Sequence, residues 1–234
     1  MNYRPEIDGL RAFAVLPVMF FHAGFKTFSG GYIGVDVFFV VSGYLITTII
    51  LTELKQGNFS IVNFYERRVR RILPALFLVM FVSLVFGYTW LMPDEFKNFG
   101  QSLVATSLFS NNILLSLTSG YWNGANEFKP LLHTWSLSVE EQYYVIVPIL
   151  LMLFWRFGIS SILYLIWAIF ITSFCFANWF VNVSPEWAFF ILPTRAWEIC
   201  VGALTSIYLS RNPSIVSNYK LSSFLSFAGF ALII

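Results

Sequence analysis

Long apolar runs separated by short polar segments organise this sequence. Runs at about Leu10–Phe25, Tyr32–Leu51, Ile72–Met92, Val139–Trp155, Ile159–Val181 and Trp187–Leu209 predict helices, of the order of the ~20 apolar residues that cross the hydrocarbon core of a bilayer. A further run starts at Leu221 and reaches the last residue, Ile234, which at fourteen residues is short for a span. The expected fold class is therefore all-α, a polytopic transmembrane helix bundle forming one domain over 1–234, and the chain is expected to be truncated relative to a longer bundle. Trp90, Trp155, Trp179 and Trp187 fall near predicted span ends, as an interfacial aromatic belt requires. Residues 99–118 do not fit the pattern: they contain Gln101, Asn111, Asn112 and many Ser and Thr. They read as an interfacial or re-entrant segment that leaves 119–138 on the non-cytoplasmic side.

Composition sharpens this reading. Hydrophobic residues make up 58% of the chain and charged ones 11%, against about 25% charged in a soluble domain. With 27 Phe, 11 Tyr and 8 Trp, a water-soluble fold of this size has too little interior to hide the apolar surface. A net charge of +2 gives no reason to expect a nucleic-acid partner; membrane lipids are the expected surroundings. Cys175 and Cys200 sit in apolar runs with no metal-ligand spacing and read as packed thiols. The N-terminus carries acids and lacks a small-x-small cleavage site, so it reads as a retained first span. Arg4, Arg11, Lys55, Arg67, Arg68, Arg70 and Arg71 lie on one side of the first two spans, and only Lys26 lies in the turn between them. The excess of positive charge on one side puts the N-terminus in the cytoplasm.

Ionisable groups inside spans are costly and functional by default. Arg11 and His22 are eleven residues apart in the first run, so they share one helix face about 16 Å apart. Arg11 has the alternative of snorkelling to the interface, and His22 that of a packing histidine. Asp36 lies as far after the first hairpin as His22 lies before it. It either orients the imidazole as a general base or caps the second helix. Ser42-Gly43 reads as a close-packing pair rather than a nucleophile. The arginines of FYERRVRRILPAL, 64–76, suit phosphate oxygens, and equally suit topology and anionic headgroups. In PLLHTWSLSVEEQYY, 130–144, His133 and Glu140 are two turns apart and Glu141 adjoins them. In PTRAWEICVGAL, 193–204, Arg195 and Glu198 are one turn apart, as a neutralising pair or as cavity-lining groups.

Taken in order, Arg11 with His22, GGYIGVDVFFVVSGYLIT at 30–47, FYERRVRRILPAL, PLLHTWSLSVEEQYY and PTRAWEICVGAL resemble the acyltransferase-3 family of bacterial membrane O-acyltransferases. The resemblance covers essentially the whole chain. It implies an acyl donor, acetyl-CoA, on the cytoplasmic side of the bacterial inner membrane, and a cell-envelope carbohydrate acceptor such as lipopolysaccharide O-antigen on the far side. It implies that Arg11 and His22 form an essential first-span pair; in the acyl-transfer mechanism this suggests, His22 is the catalytic group, oriented by Asp36 or Glu140. Arg11, Arg68 and Arg71 would serve the donor, and His133, Arg195 and Glu198 would line the substrate cavity. No metal is implied. Relatives of this kind have about ten spans, and many carry an SGNH-type domain, so a partner supplying spans or an acceptor domain is an expectation. Intramembrane His, Asp, Glu and Arg also suit a proton-coupled transporter, and a shortened chain suits a non-catalytic scaffold.

Overall fold

In the computed structural model, residues 5–118, 129–212 and 223–229 are described, and among them every regular element is helical. The elements are α1 (Pro5–His22), α2 (Ile33–Lys55), α3 (Ile61–Trp90), α4 (Pro93–Ser107), α5 (Asn111–Thr118), α6 (Thr134–Trp155), α7 (Ile159–Val183), α8 (Pro185–Phe190) and α9 (Leu192–Arg211). Five stretches among the described residues are long and apolar enough to cross a membrane: α2, α3, α6, α7 and the α8–α9 run. The protein is an all-α, multi-pass helical bundle. Arg4, residues 119–128, Lys220 and the final apolar run apart from 223–229 lie outside the described residues.

Residues from α2, α6, α7 and α9 form the core, with Phe39, Ile46, Val139, Leu151, Ile162, Ile199 and Ile207 among its most buried side chains. The backbones of α2 and α9 approach so closely that a Cβ on Gly43 would collide with the Ile199 carbonyl, and one on Gly202 with the Val40 carbonyl. Small residues permit this contact where lipid supplies no hydrophobic drive between helices. Gly34 plays the same part against the Ala14 carbonyl of α1.

The helix boundaries correct several expectations. The first helix stops at His22 rather than Phe25. Gly24 adopts φ 82°, the Phe25 N–H reaches Phe20 O (3.1 Å) and the Gly24 N–H reaches Phe21 O (3.0 Å), which is a Schellman stop. The third helix begins at Ile61, not Ile72, with Ser60 accepting from the Asn63 N–H at 3.4 Å. The arginine cluster therefore rides on α3 instead of preceding it. The sixth helix starts at Thr134, five residues before the apolar run at Val139, so Glu140 and Glu141 are well inside it. The run Trp187–Leu209 is two helices, broken at Ile191 with Pro193 opening the second, because proline is tolerated only in a helix's first turn.

Segment 93–118 is a bent pair of short helices. Phe109 at the bend takes φ 50°. Gln142 of α6 donates to Phe109 O (2.9 Å) and Asn112 Oδ1 (2.8 Å), and Asn112 donates to Phe190 O (3.1 Å). Thr106 meets Thr134, and Lys129 Nζ reaches Thr118 O at 3.2 Å. The pair is thus stapled to the N-terminal end of α6. The distal part of α3 exposes Phe77, Phe81, Val85 and Trp90, as a lipid-facing helix does.

Candidate functional site

A cavity of about 1070 Å³ opens between the end of α1, the first turns of α2, the start of α6, α8 and Arg195. Its lining includes His22, Asp36, His133, Glu140 and Arg195. His22, Asp36, Glu140 and Arg195 come from four different apolar runs, and His133 immediately precedes α6.

His22 is the last residue of α1. Its Nδ1 lies 2.8 Å from Val18 O. A carbonyl only accepts, so Nδ1 carries a proton and donates it to Val18. The ring packs edge-to-face on His133, with centroids 4.4 Å apart. His133 caps the start of α6, outside the span. Burial first, then the charge of His22, push its pKa below the usual histidine value, so it stays neutral at pH 7.

Asp36, expected to orient His22, pairs with Arg195 instead: Arg195 Nη1 donates to Asp36 Oδ1 at 3.2 Å. The physical reason is that a guanidinium carries a full charge, whereas the His22 Nδ1–H is already given to Val18. Arg195 also donates to Glu198 and, through Nε, to Phe189 O (3.0 Å), and it stacks over the Phe189 ring at 4.8 Å. One cation therefore holds two carboxylates and a carbonyl. Glu198 is buried behind it, while the Asp36 side chain remains 40% exposed to the cavity.

Deeper along α6, Glu140 accepts from the Ser42 hydroxyl at 2.6 Å and from the Tyr144 hydroxyl at 3.4 Å. Gly43 does provide the close packing expected of that pair of residues, but Ser42 also anchors Glu140. Arg11 and Arg68 both lie in electrostatic range of Glu140, yet neither forms an ion pair with it within 4.0 Å among the described residues. The Arg11 Nε is buried without a hydrogen-bond partner, so Arg11 faces inward, along the same side as His22. Arg68 stacks over Tyr144 (5.1 Å) and Phe64 (5.7 Å) and lies in electrostatic range of Glu141, whose buried Oε1 has no partner.

The four arginines of α3 separate into two kinds. Arg67 pairs with Glu53 at 2.8 Å and Arg70 with Glu66 at 2.7 Å. Arg68 and the exposed Arg71 have no carboxylate partner within 4.0 Å among the described residues. A pair of uncommitted guanidiniums one turn apart fits the phosphates of a nucleotide-bearing donor.

Sequence reasoning missed Glu186, Trp135 and Phe189, all of which line the cavity. Glu186 was findable as a charge between Pro185 and the aromatic run WAFF; the two rings carry no such mark.

Fold and site together define a class: a multi-pass membrane protein with a polar, histidine-bearing cavity inside an apolar bundle. A family model described as "Acyltransferase domain" matches residues 4–234. The chain belongs to this acyltransferase family, and its relatives are O-acetyltransferases. It is 33% identical over 238 residues to the peptidoglycan O-acetyltransferase OatA of Listeria monocytogenes, covering 97% of this chain and 38% of that protein. It is 41% identical over 153 residues to a putative peptidoglycan O-acetyltransferase, YrhL, of Bacillus subtilis, covering 64% of this chain and 24% of that protein. An uncharacterized protein of Haemophilus influenzae is 34% identical over 200 residues, covering 82% of this chain and 81% of its own length. The chain thus spans well under half of the two named relatives. No solved structure matches it.

Proposed function

We propose that this domain transfers an acyl group, acetyl in the first instance, from an acyl-CoA to a hydroxyl of a cell-envelope carbohydrate. The observation that carries the reading is the continuity of polar groups through an apolar bundle. They run from Arg71 and Arg68 on α3, past Glu140 and Arg11, to His22 and His133 in the cavity. Arg68 and Arg71 hold the donor's phosphates. His22 Nε2 takes the proton of the acceptor hydroxyl, the acceptor oxygen bonds to the acyl carbon as the carbon–sulfur bond breaks, and the proton passes to the departing thiolate. The same nitrogen serves if the acyl group is first carried on the imidazole.

Lys55, Arg67, Arg68, Arg70 and Arg71 cluster near the junction of α2 and α3, and Lys26 alone marks the α1–α2 hairpin. This supports a cytoplasmic N-terminus and donor site in a bacterial plasma membrane. The relatives' names support a peptidoglycan acceptor over lipopolysaccharide. The test is incubation of the purified chain in lipid nanodiscs with labelled acetyl-CoA and peptidoglycan fragments. Base-labile label on the sugar is the expected result. No label above that of a protein-free control overturns the reading.

A further inference from the structure

The short helix α8 has no counterpart in the roles given so far, yet it is held unusually firmly. Asn112 of α5 donates to Phe190 O (3.1 Å), Thr194 of α9 to Trp187 O (3.1 Å) and Arg195 to Phe189 O (3.0 Å). Three side chains from two other helices thus bind three carbonyls of one six-residue helix. Side-chain bonds to three carbonyls of one short helix, the Asn112 bond being buried, hold it as a wall in one position. That wall presents Glu186 and Phe189 to the cavity, whose lining also includes Tyr32 and Asp36.

The charge inventory of the cavity singles out Glu186. The lining contains three carboxylates, Asp36, Glu140 and Glu186, with Arg195 as its one Lys or Arg side chain among the described residues. Asp36 shares Arg195 with Glu198, and Glu140 lies in the field of Arg11 and Arg68. Glu186 has no ion-pair partner among the described residues. The Ser184 hydroxyl donates to its Oε2 at 3.3 Å, and the residue lines the cavity.

We propose that α8 is the acceptor subsite: Glu186 accepts hydrogen bonds from the hydroxyls of an uncharged pyranose, with the exposed Phe189 ring beside it. A carboxylate and an aromatic face match a sugar ring, which offers O–H donors and an apolar C–H surface. An acceptor bearing its own carboxylate or phosphate at this point meets Glu186 and Asp36 with no free cation to receive it, and is rejected by like charge. The proposal rests on the acyl-transfer reading for its biological sense, but the binding it describes does not need catalysis.

Calorimetric titration of the full chain in nanodiscs with methyl N-acetylglucosaminide, and separately with methyl glucuronide, tests it. Saturable binding of the uncharged sugar is expected, with the glucuronide at least about tenfold weaker. Glu186→Gln is expected to weaken the uncharged sugar about tenfold, the effect of losing one hydrogen bond to a charged acceptor, with the affinity for coenzyme A unchanged. Equal binding of the uncharged sugar by the Glu186→Gln protein, equal binding of the two sugars, or no binding of either overturns the proposal. Sugar binding without acetyl transfer by the wild type would remove the acyl-transfer function and leave the subsite standing. Transfer that survives alongside unaltered sugar affinity in Glu186→Gln would do the reverse.

Discussion

Arginine appears in two settings in this molecule, one occupied by neighbouring acids and one only partly so. In the cavity, Arg195 is largely buried and surrounded: two carboxylates, one carbonyl and two aromatic faces take up its guanidinium. At the start of α3, four arginines share two carboxylates, both at the surface, and Arg68 and Arg71 are left over. A buried guanidinium satisfied on every side acts as a structural clamp, because removing it leaves unpaired charge in a poorly solvated place. A guanidinium with no carboxylate beside it is available to an incoming anion.

Breaking the clamp is expected to have the largest effect. Arg195→Ala leaves Asp36 and Glu198 without their cation and Phe189 O without its donor, and a loss of about 3–5 kcal/mol of stability is expected. Thermal unfolding in detergent checks it, and Arg195→Met combined with Asp36→Asn and Glu198→Gln should recover most of the loss. If Arg195→Ala alone unfolds like the wild type, the clamp description is wrong.

Next come the uncommitted arginines. Arg68→Ala and Arg71→Ala should each weaken coenzyme A binding by about 1.5–3 kcal/mol, roughly ten- to a hundredfold, with the affinity for the acceptor unchanged. Unchanged coenzyme A affinity would make the pair a topology or lipid-headgroup feature only. By contrast, Arg70→Ala removes an ion pair whose arginine is 78% exposed, and about 0–1 kcal/mol is expected in stability, with no change in donor affinity. A large loss of donor affinity there would erase the distinction between the two pairs.

The smallest expected effect is the pH response of the cavity. The folded pKa of His133 lies below the ordinary value of 6.5, so on acidification the unfolded chain takes up its proton first. Stability is then expected to fall as pH drops below 6.5 and to be flat above it. His133→Gln should flatten the change in melting temperature between neutral and acidic buffer. An unaltered slope would show that His133 is not shielded in the way described.

Much of the site was legible because a membrane makes charge conspicuous. His22, Asp36, Glu140 and Arg195 each interrupt an apolar run, and they meet His133 in one cavity. Their partners were not legible. Asp36 and Arg195 are 159 residues apart, and Ser42 and Glu140 are 98 apart; no local spacing carries such pairings. The helix α8 was hidden because PEWAFF continues the apolar run, and only Pro193 marks the break. Helical spacing already groups Arg67 with Arg70 and Arg68 with Arg71; what it does not show is that Glu53 and Glu66 occupy the first pair.

The central claim is that His22 performs the transfer while the arginine end holds the donor. The most direct measurement takes one purified protein, His22→Ala, and reads two quantities from it: coenzyme A affinity by calorimetry and acetyl transfer to a sugar hydroxyl. The account predicts wild-type coenzyme A affinity together with transfer lowered at least ~100-fold, the lower range for loss of a general base. Transfer at the wild-type rate from a His22→Ala protein that still binds coenzyme A would contradict it.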